Sequence, residues 1–250
     1  MLGWLRRRRA PRAIPEPLWQ QLLADFPFLR LSDEGDRRRL RELAGRFLDG
    51  KEFQGAQGLE ITDPMALAIA AQAVLPVLHL DLSWYDDFVG IVVHPDQVVA
   101  RRTSQDEAGV VHEWDEVLAG EAMEHGPVML SWTDVQAAGS GTEGVYNVVV
   151  HEFIHKIDMR DGAADGVPPM PLASRKEWLA VLEAEYERFR EQVVIAERFG
   201  GEATWLDPYG AEHPSEFFAV AGEAYFVDRE RFAAEFPRLL TLFDGFFRRR

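Results

Sequence analysis

The chain has 250 residues, of which 47% are hydrophobic and 28% are charged, with no cysteine and a formal net charge of −15. This composition is ordinary for a globular protein, and the length is enough to bury a sizeable core in one large domain or two small ones. The absence of cysteine excludes disulfides and thiolate metal sites, and we expect a cytoplasmic protein.

The charge is unevenly distributed along the chain. Arg6 to Arg9, Arg12 and Arg248 to Arg250 contribute eight positive charges, so the remainder carries −23. An acidic body of this kind repels the phosphate backbone, which argues against direct binding of nucleic acid. We expect residues 1–15 to form a basic, flexible segment and residues 16–250 to form a single domain.

The first predicted elements are helices. Residues 32–49 have the spacing of an amphipathic helix, and Asp63 and Pro64 then begin an apolar one. The nearly apolar run at 65–78 has 14 residues, which is too short to span a bilayer, so we predict a core helix and no membrane partner. The basic N-terminus lacks the apolar stretch of a secretory signal.

Residues 86–133 change character and predict a run of strands. The segments are short, rich in valine and separated by Gly, Pro or Asp: DFVGIVVH, QVVAR, AGVVHEW, EVLAGEAM and PVMLSW. Further along, Ser174 and Glu177 have the spacing of a capping box ahead of a long helix. Two more helices are predicted, one from Pro214 and one over 237–247. Helices, then strands, then helices indicate an α+β architecture.

Between the strands and the last helices lies YNVVVHEFIHKIDMRDG, with His-Glu-x-x-His at 151–155. By propensity alone its three valines favour a strand. Two histidines four residues apart, however, make sense together on a helix, where both imidazoles lie on one face and reach a single ion. Apolar residues surround this helix, so it should be buried, and buried polar groups need partners. Without thiols, nitrogen and oxygen ligands favour zinc in an open, catalytic site.

A catalytic zinc site needs a third protein ligand. The short extension in which a glycine and a histidine follow closely is missing, because Asp158 stands three residues after His155 and the next histidine is His213. A glutamate on the helix from Pro214 is therefore expected. Glu216 and Glu223, seven residues apart on that helix, share one face, and spacing alone does not choose between them.

The sequence resembles the Mlc titration factor A family of bacterial zinc metallopeptidases over nearly the whole chain. The most specific stretches are VVHEFIHKIDMRDG, GVPPMPL and DPYGAEHPSEFFAVAGEAYF. The catalytic part of that family resembles the peptidase domain of anthrax lethal factor, and both carry a tyrosine seven residues before the third ligand, a glutamate. The resemblance therefore implies a zincin-like fold and selects Tyr209 and Glu216. It also implies aminopeptidase-like activity on small peptides and binding of the glucose-regulatory repressor Mlc.

We accordingly predict a hydrolase in which His151, His155 and Glu216 hold one zinc ion. Glu152 is rotated by about 100° from His151 on the helix, so it is better placed to contact a water beside the ion than to ligate the ion. We predict that Glu152 is the general base, which takes the proton of the attacking water and passes it to the leaving amine.

Three further residues receive roles in this prediction. Tyr209 can donate to the oxyanion of the tetrahedral intermediate. Asp158 and Glu223 are candidates to orient an imidazole by a hydrogen bond to the ring nitrogen that does not bind the metal. We also expect the strand PVMLSW to offer its edge to an extended peptide.

The alternative interpretation is a non-catalytic protein that is stabilised by zinc and sequesters a transcription repressor. Glu152 and Tyr209 discriminate between the two hypotheses, because neither residue is needed to hold a metal. A protein that only binds a partner has no use for this pair.

Overall fold

The computed structural model describes residues 13–105, 111–138 and 145–248. The basic segment predicted at 1–15 therefore lies almost entirely outside the described residues. Within the described ranges, no helix combines the length and the apolarity needed to cross a lipid bilayer.

Helices and short strands follow one another in a mixed α+β arrangement, as predicted. In chain order the elements are α1 (Glu16–Asp25), α2 (Glu34–Gly50), β1 (Glu52–Gly55), α3 (Asp63–Ala73), β2 (Gly90–His94), β3 (Val98–Gln105), β4 (Val111–Leu118), β5 (Gly120–Ala122), β6 (Val128–Ser131), α4 (Trp132–Ala137), α5 (Val148–Asp158), α6 (Leu172–Phe199), α7 (Pro214–Val227), α8 (Arg229–Glu235) and α9 (Pro237–Phe247).

Four strands form one mixed sheet in the order β1-β2-β6-β5, and β3 and β4 form a separate antiparallel pair. Strands β1, β2 and β6 are parallel, whereas β5 runs antiparallel to β6 at the end of the sheet. Strand β6 therefore has a neighbour on each side, and the prediction that PVMLSW offers its edge to a peptide is wrong. In the described part of the chain, the outer strand on this side is β5.

Helix α5 carries the His-Glu-x-x-His motif through the middle of the core. It begins at Val148, where the side chain of Asn147 accepts a hydrogen bond from the Val150 N–H at 3.0 Å. The three valines are buried, and the Phe153 ring packs edge-on against three other aromatic rings, those of Phe47, Tyr85 and Phe88. The valine-rich segment is helical because burial on all sides of α5 outweighs its preference for a strand.

Helix α7 crosses α5 closely. A Cβ atom at Gly222 would lie 2.9 Å from Ile154 Cγ1, so a larger residue would push the two helices apart. The helix begins at Pro214, as predicted, with the His213 side chain accepting from the Ser215 N–H at 3.2 Å. This crossing brings one face of α7 against the histidines of α5.

Two predicted helix boundaries are wrong. The capping box at Ser174 and Glu177 does not start the long helix, because α6 already begins at Leu172, after Pro171. The apolar helix ends at Ala73 rather than continuing to residue 78, since Pro76 cannot continue a helical hydrogen-bond ladder.

Candidate active site

Three side chains converge in a cleft of about 460 Å³ between β5, α5 and the start of α7. His151 and His155 come from successive turns of α5, and Glu216 comes from the first turn of α7. The two Nε2 atoms are 3.1 Å apart, and Glu216 Oε2 lies 3.1 Å from His151 Nε2 and 3.2 Å from His155 Nε2. The three atoms form a nearly equilateral triangle, the arrangement expected of three ligands of one metal ion.

The charge state of Glu216 suits metal binding. Burial by itself raises the pKa of this carboxyl, but hydrogen bonds from His151 and His155 outweigh burial and hold the pKa well below its ordinary value. Glu216 is therefore ionised throughout the neutral range, which is the form that ligates a metal.

Glu223 lies behind the triad rather than in it. Its Oε1 atom is 2.8 Å from His151 Nδ1, and its Oε2 atom accepts a hydrogen bond from the N–H of Asn147. The two glutamates of α7 thus face opposite nitrogens of the same imidazole. Glu216 contacts Nε2 and Glu223 contacts Nδ1, so only Glu216 joins the triad.

Glu152 lies outside the triangle but in the same cleft. Its side chain is buried against β5, where the carboxylate accepts a hydrogen bond from the N–H of Ala122. Burial raises the pKa of Glu152, whereas the charges of the neighbouring histidines and this hydrogen bond act in the opposite direction. A buried carboxylate held by one donor retains lone pairs for a further proton.

Tyr209 stands beside the triad at the mouth of the cleft. It lies in the turn Pro208–Ala211 before α7, where the Asp207 side chain accepts a hydrogen bond from its N–H at 2.9 Å. The ring centroids of Tyr209 and His151 are 6.2 Å apart, and 40% of Tyr209 is exposed. The side chain can therefore be reached by a molecule bound in the cleft.

Asp158 is placed differently from the other predicted site residues. It is fully buried, and its Oδ2 atom accepts the N–H of Gly166 at 2.8 Å, while Oδ1 has no hydrogen-bond partner among the described residues. Burial raises the pKa of Asp158 to about 7. This carboxyl ties the end of α5 to the following loop, and within the described ranges it makes no hydrogen bond to either imidazole of the triad.

A family model described as glucose-regulated metallo-peptidase M90 matches residues 2–248. The chain belongs to the M90 metallo-peptidase family. A protein named Mlc titration factor A from Serratia proteamaculans (strain 568) is 36% identical over 249 residues, which are 99% of this chain and 93% of the relative. Its namesake in Klebsiella pneumoniae (strain 342) is 36% identical over 230 residues, 92% of this chain and 84% of the relative. The protein of the same name in Yersinia pestis (strain Pestoides F) is 32% identical over 249 residues, which are 99% of this chain and 90% of the relative.

These comparisons confirm the resemblance that the sequence motifs indicated. They agree with the site, since an M90 metallo-peptidase requires a metal-binding cluster. Within the described residues of this M90 chain, His151, His155 and Glu216 form the one group of three potential ligands that can surround an ion.

The sequence interpretation missed several residues of the M90 cleft. Strand β5 forms one wall at Gly120 and Ala122, and Tyr146 forms another, with its hydroxyl donating to Asp134 Oδ1 at 3.2 Å. Asn147 both caps α5 and donates its N–H to Glu223. The one available signal was the position of Asn147, directly before the apolar run that becomes the helix.

Proposed function

We propose that this chain is a zinc-dependent peptidase of zincin-like fold that hydrolyses peptide bonds with Glu152 as general base. The observation that carries the proposal is the triangle of His151 Nε2, His155 Nε2 and Glu216 Oε2, with sides of 3.1 to 3.2 Å. A carboxylate that is not part of this triangle, Glu152, lies in the same cleft. A metal-binding protein without hydrolytic activity needs the triangle alone.

The donor set and its spacing fit zinc. Zinc binds histidine nitrogen and carboxylate oxygen at about 2.0–2.2 Å, so two ligands of a tetrahedral ion are separated by roughly 3.3 Å. The observed separations are close to this value. Two histidines and one glutamate are also a ligand set of catalytic zinc sites, which leave one position open.

Each residue around the triad has a role in the proposed reaction. Bound zinc would polarise the scissile carbonyl and lower the pKa of the attacking water toward ~7. Glu152 accepts the proton of that water and returns it to the leaving amine. Tyr209 donates its hydroxyl to the oxyanion that develops on the carbonyl. Glu223 accepts the Nδ1 proton of His151, which leaves the lone pair of Nε2 for the ion.

The charges of the cleft support aminopeptidase-like action. Among the described residues that line it, every charged side chain apart from the histidines is a carboxylate: Glu121, Glu152, Asp207 and Glu216. Such a cleft attracts a cationic group, and a free amino terminus is the positive charge that every unblocked peptide carries. Asp158, which makes no hydrogen bond to either imidazole among the described residues, supports the loop after α5 in this scheme.

A second candidate function is binding of a transcription repressor. The observation that favours it is the name Mlc titration factor A, which relatives at 32% to 36% identity carry. Binding of such a partner is compatible with a hydrolytic cleft. The alternative of a protein that only binds leaves Glu152 without a role.

The test is hydrolysis of aminoacyl chromogenic substrates by the purified protein, with its metal content measured in parallel. We expect about one zinc per chain, cleavage that a chelator abolishes and zinc restores, and little cleavage of the same substrates after N-acetylation. Zinc-loaded protein that cleaves none of a broad panel of free and blocked peptides would overturn the proposal. Equal cleavage of free and acetylated substrates would retain the peptidase and reject the aminopeptidase preference.

A further inference from the structure

Strand β5 approaches Glu152 more closely than a side chain would allow. A Cβ atom built on Gly120 would lie 2.5 Å from Glu152 Oε1, 2.7 Å from Glu152 Cγ and 2.8 Å from Val148 Cγ2. Real Cβ atoms essentially never come within 3.0 Å of another heavy atom in this way. The position occupied by the Glu152 carboxylate therefore exists because residue 120 has no side chain.

The backbone of β5 also holds this carboxylate. Ala119 accepts a hydrogen bond from the Ser131 N–H at 2.7 Å, and Met123 donates to the carbonyl of Pro127 at 3.3 Å, so these odd-numbered residues face β6. In an antiparallel pair, the backbone N–H and C=O groups of successive residues point alternately toward and away from the partner strand. Those of Gly120 and Ala122 therefore point away from β6. Consistently, the N–H of Ala122 donates to Glu152.

The close contacts at residue 120 would be relieved by movement of Glu152 into the cleft rather than by movement of Val148. Val148 lies one turn earlier on α5, is 2% exposed and, as a β-branched residue on a helix, is restricted to essentially one rotamer. A methyl group at residue 120 would displace Glu152 from the donor of Ala122. The three atoms nearest to such a methyl group belong to Glu152 and Val148, and none belongs to the metal triad.

Building on the function proposed above, we propose that Gly120 is a positioning residue for the general base. Its missing side chain provides the space in which the Glu152 carboxylate sits, and the N–H of Ala122 fixes that carboxylate in the space. Strand β5 thereby determines where Glu152 presents its free oxygen to the attacking water. This role requires no contact between Gly120 and the substrate.

The first test is the kinetics of Gly120→Ala. We expect kcat to fall on the order of 10²-fold, because small displacements of a catalytic group have effects of this size. KM should change by less than a few-fold, and zinc content should stay at the wild-type level, because the ligands are untouched. The matched control is Gly245→Ala in α9, where a Cβ would meet nothing within 4 Å. Unchanged kcat in Gly120→Ala would overturn the inference, as would loss of its zinc.

The second test does not depend on hydrolysis. Gly120→Ala should lower the Tm by roughly 5 °C in the wild-type background, since overpacking is destabilising. In a Glu152→Ala background two of the three close contacts disappear, so the loss should be less than half as large. If Gly120→Ala alone is too unstable to purify, recovery of folded protein on adding Glu152→Ala demonstrates the same coupling.

These results separate the inference from the proposed function. A wild-type protein that hydrolyses no peptide would reject the function. Equal Tm losses in the two backgrounds would overturn the inference whether or not the protein is a peptidase, and unequal losses would support it.

Discussion

Glu223 Oε1 lies 2.8 Å from His151 Nδ1, on the side of the imidazole opposite the nitrogen that faces His155 and Glu216. The same carboxylate accepts the N–H of Asn147, the residue that caps the helix carrying His151. One buried side chain of α7 therefore orients both a ligand and the beginning of the ligand helix. A carboxylate in this position fixes the tautomer of the histidine.

This relationship predicts different outcomes for the two glutamates of α7. Glu216→Ala removes a member of the triad and should weaken zinc binding by at least 10³-fold, whereas Glu223→Ala should cost on the order of 10–100-fold, as for partners behind the ligands. Competition with a chelator of known affinity measures both values. Stronger loss of zinc in Glu223→Ala would show that the ligand set is wrong.

The histidines of the triad can be tested by metal analysis alone. His151→Ala and His155→Ala should each retain little zinc after dialysis, because each removes one of three protein ligands. His125→Ala is the matched control, since that side chain is 69% exposed in the turn between β5 and β6. Full zinc occupancy in either triad variant would contradict the site.

Glu152→Gln separates the base from the ligands. The amide keeps the size of the side chain and an oxygen that can accept from Ala122, but it cannot take the proton of the attacking water. We expect zinc content and Tm near those of the wild type and a loss of hydrolysis of at least 10³-fold. The control is Glu124→Gln, at an exposed position in the turn between β5 and β6. Activity within a few-fold of wild type would remove Glu152 from the mechanism.

Tyr209→Phe retains the ring and removes only the hydroxyl. If that hydroxyl stabilises the oxyanion, kcat should fall on the order of 10²-fold, with a smaller change in KM, because the interaction forms mainly in the transition state. Tyr146→Phe removes another hydroxyl of the cleft, one that donates to Asp134, and should cost much less. Normal turnover in Tyr209→Phe would identify an ordinary packing residue.

Asp158 predicts a pH dependence of stability. Burial raises its pKa to about 7, so between roughly pH 4 and pH 7 the folded chain retains a proton that the unfolded chain has released. This group therefore destabilises the fold as the pH rises through that window. Asp158→Asn keeps an acceptor for the Gly166 N–H and has no charge to bury.

Urea unfolding at several pH values measures this effect. Relative to wild type, Asp158→Asn should gain on the order of 1–3 kcal/mol of unfolding free energy between pH 4 and pH 8. Asp86→Asn, at an exposed position, is the control and should show no such trend. Parallel pH profiles of wild type and Asp158→Asn would refute the prediction.

The sequence alone was enough to predict the pairing of His151 and His155 on a helix, the α+β architecture and the last helices. These features depend on local geometry. Residues four apart meet on one face of any α-helix, and the periodic spacing of apolar residues indicates helices without knowledge of their neighbours. The strand preference of the valines before His151 was correctly set aside because two histidines four residues apart share one face only on a helix, although it is burial in the tertiary structure that stabilises these valines in a helix.

The family resemblance selected Glu216 over Glu223, but only the tertiary structure shows why Glu216 joins the triad and which strand forms a wall of the cleft. Glu216 and Glu223 are equivalent by spacing, and the close crossing of α5 and α7 at Gly222 places one at Nε2 of His151 and the other at Nδ1. Likewise, the strand order puts β5 beside Glu152 and encloses β6. Helix crossings and strand orders arise from contacts between residues far apart in the chain. A local sequence pattern does not predict those contacts.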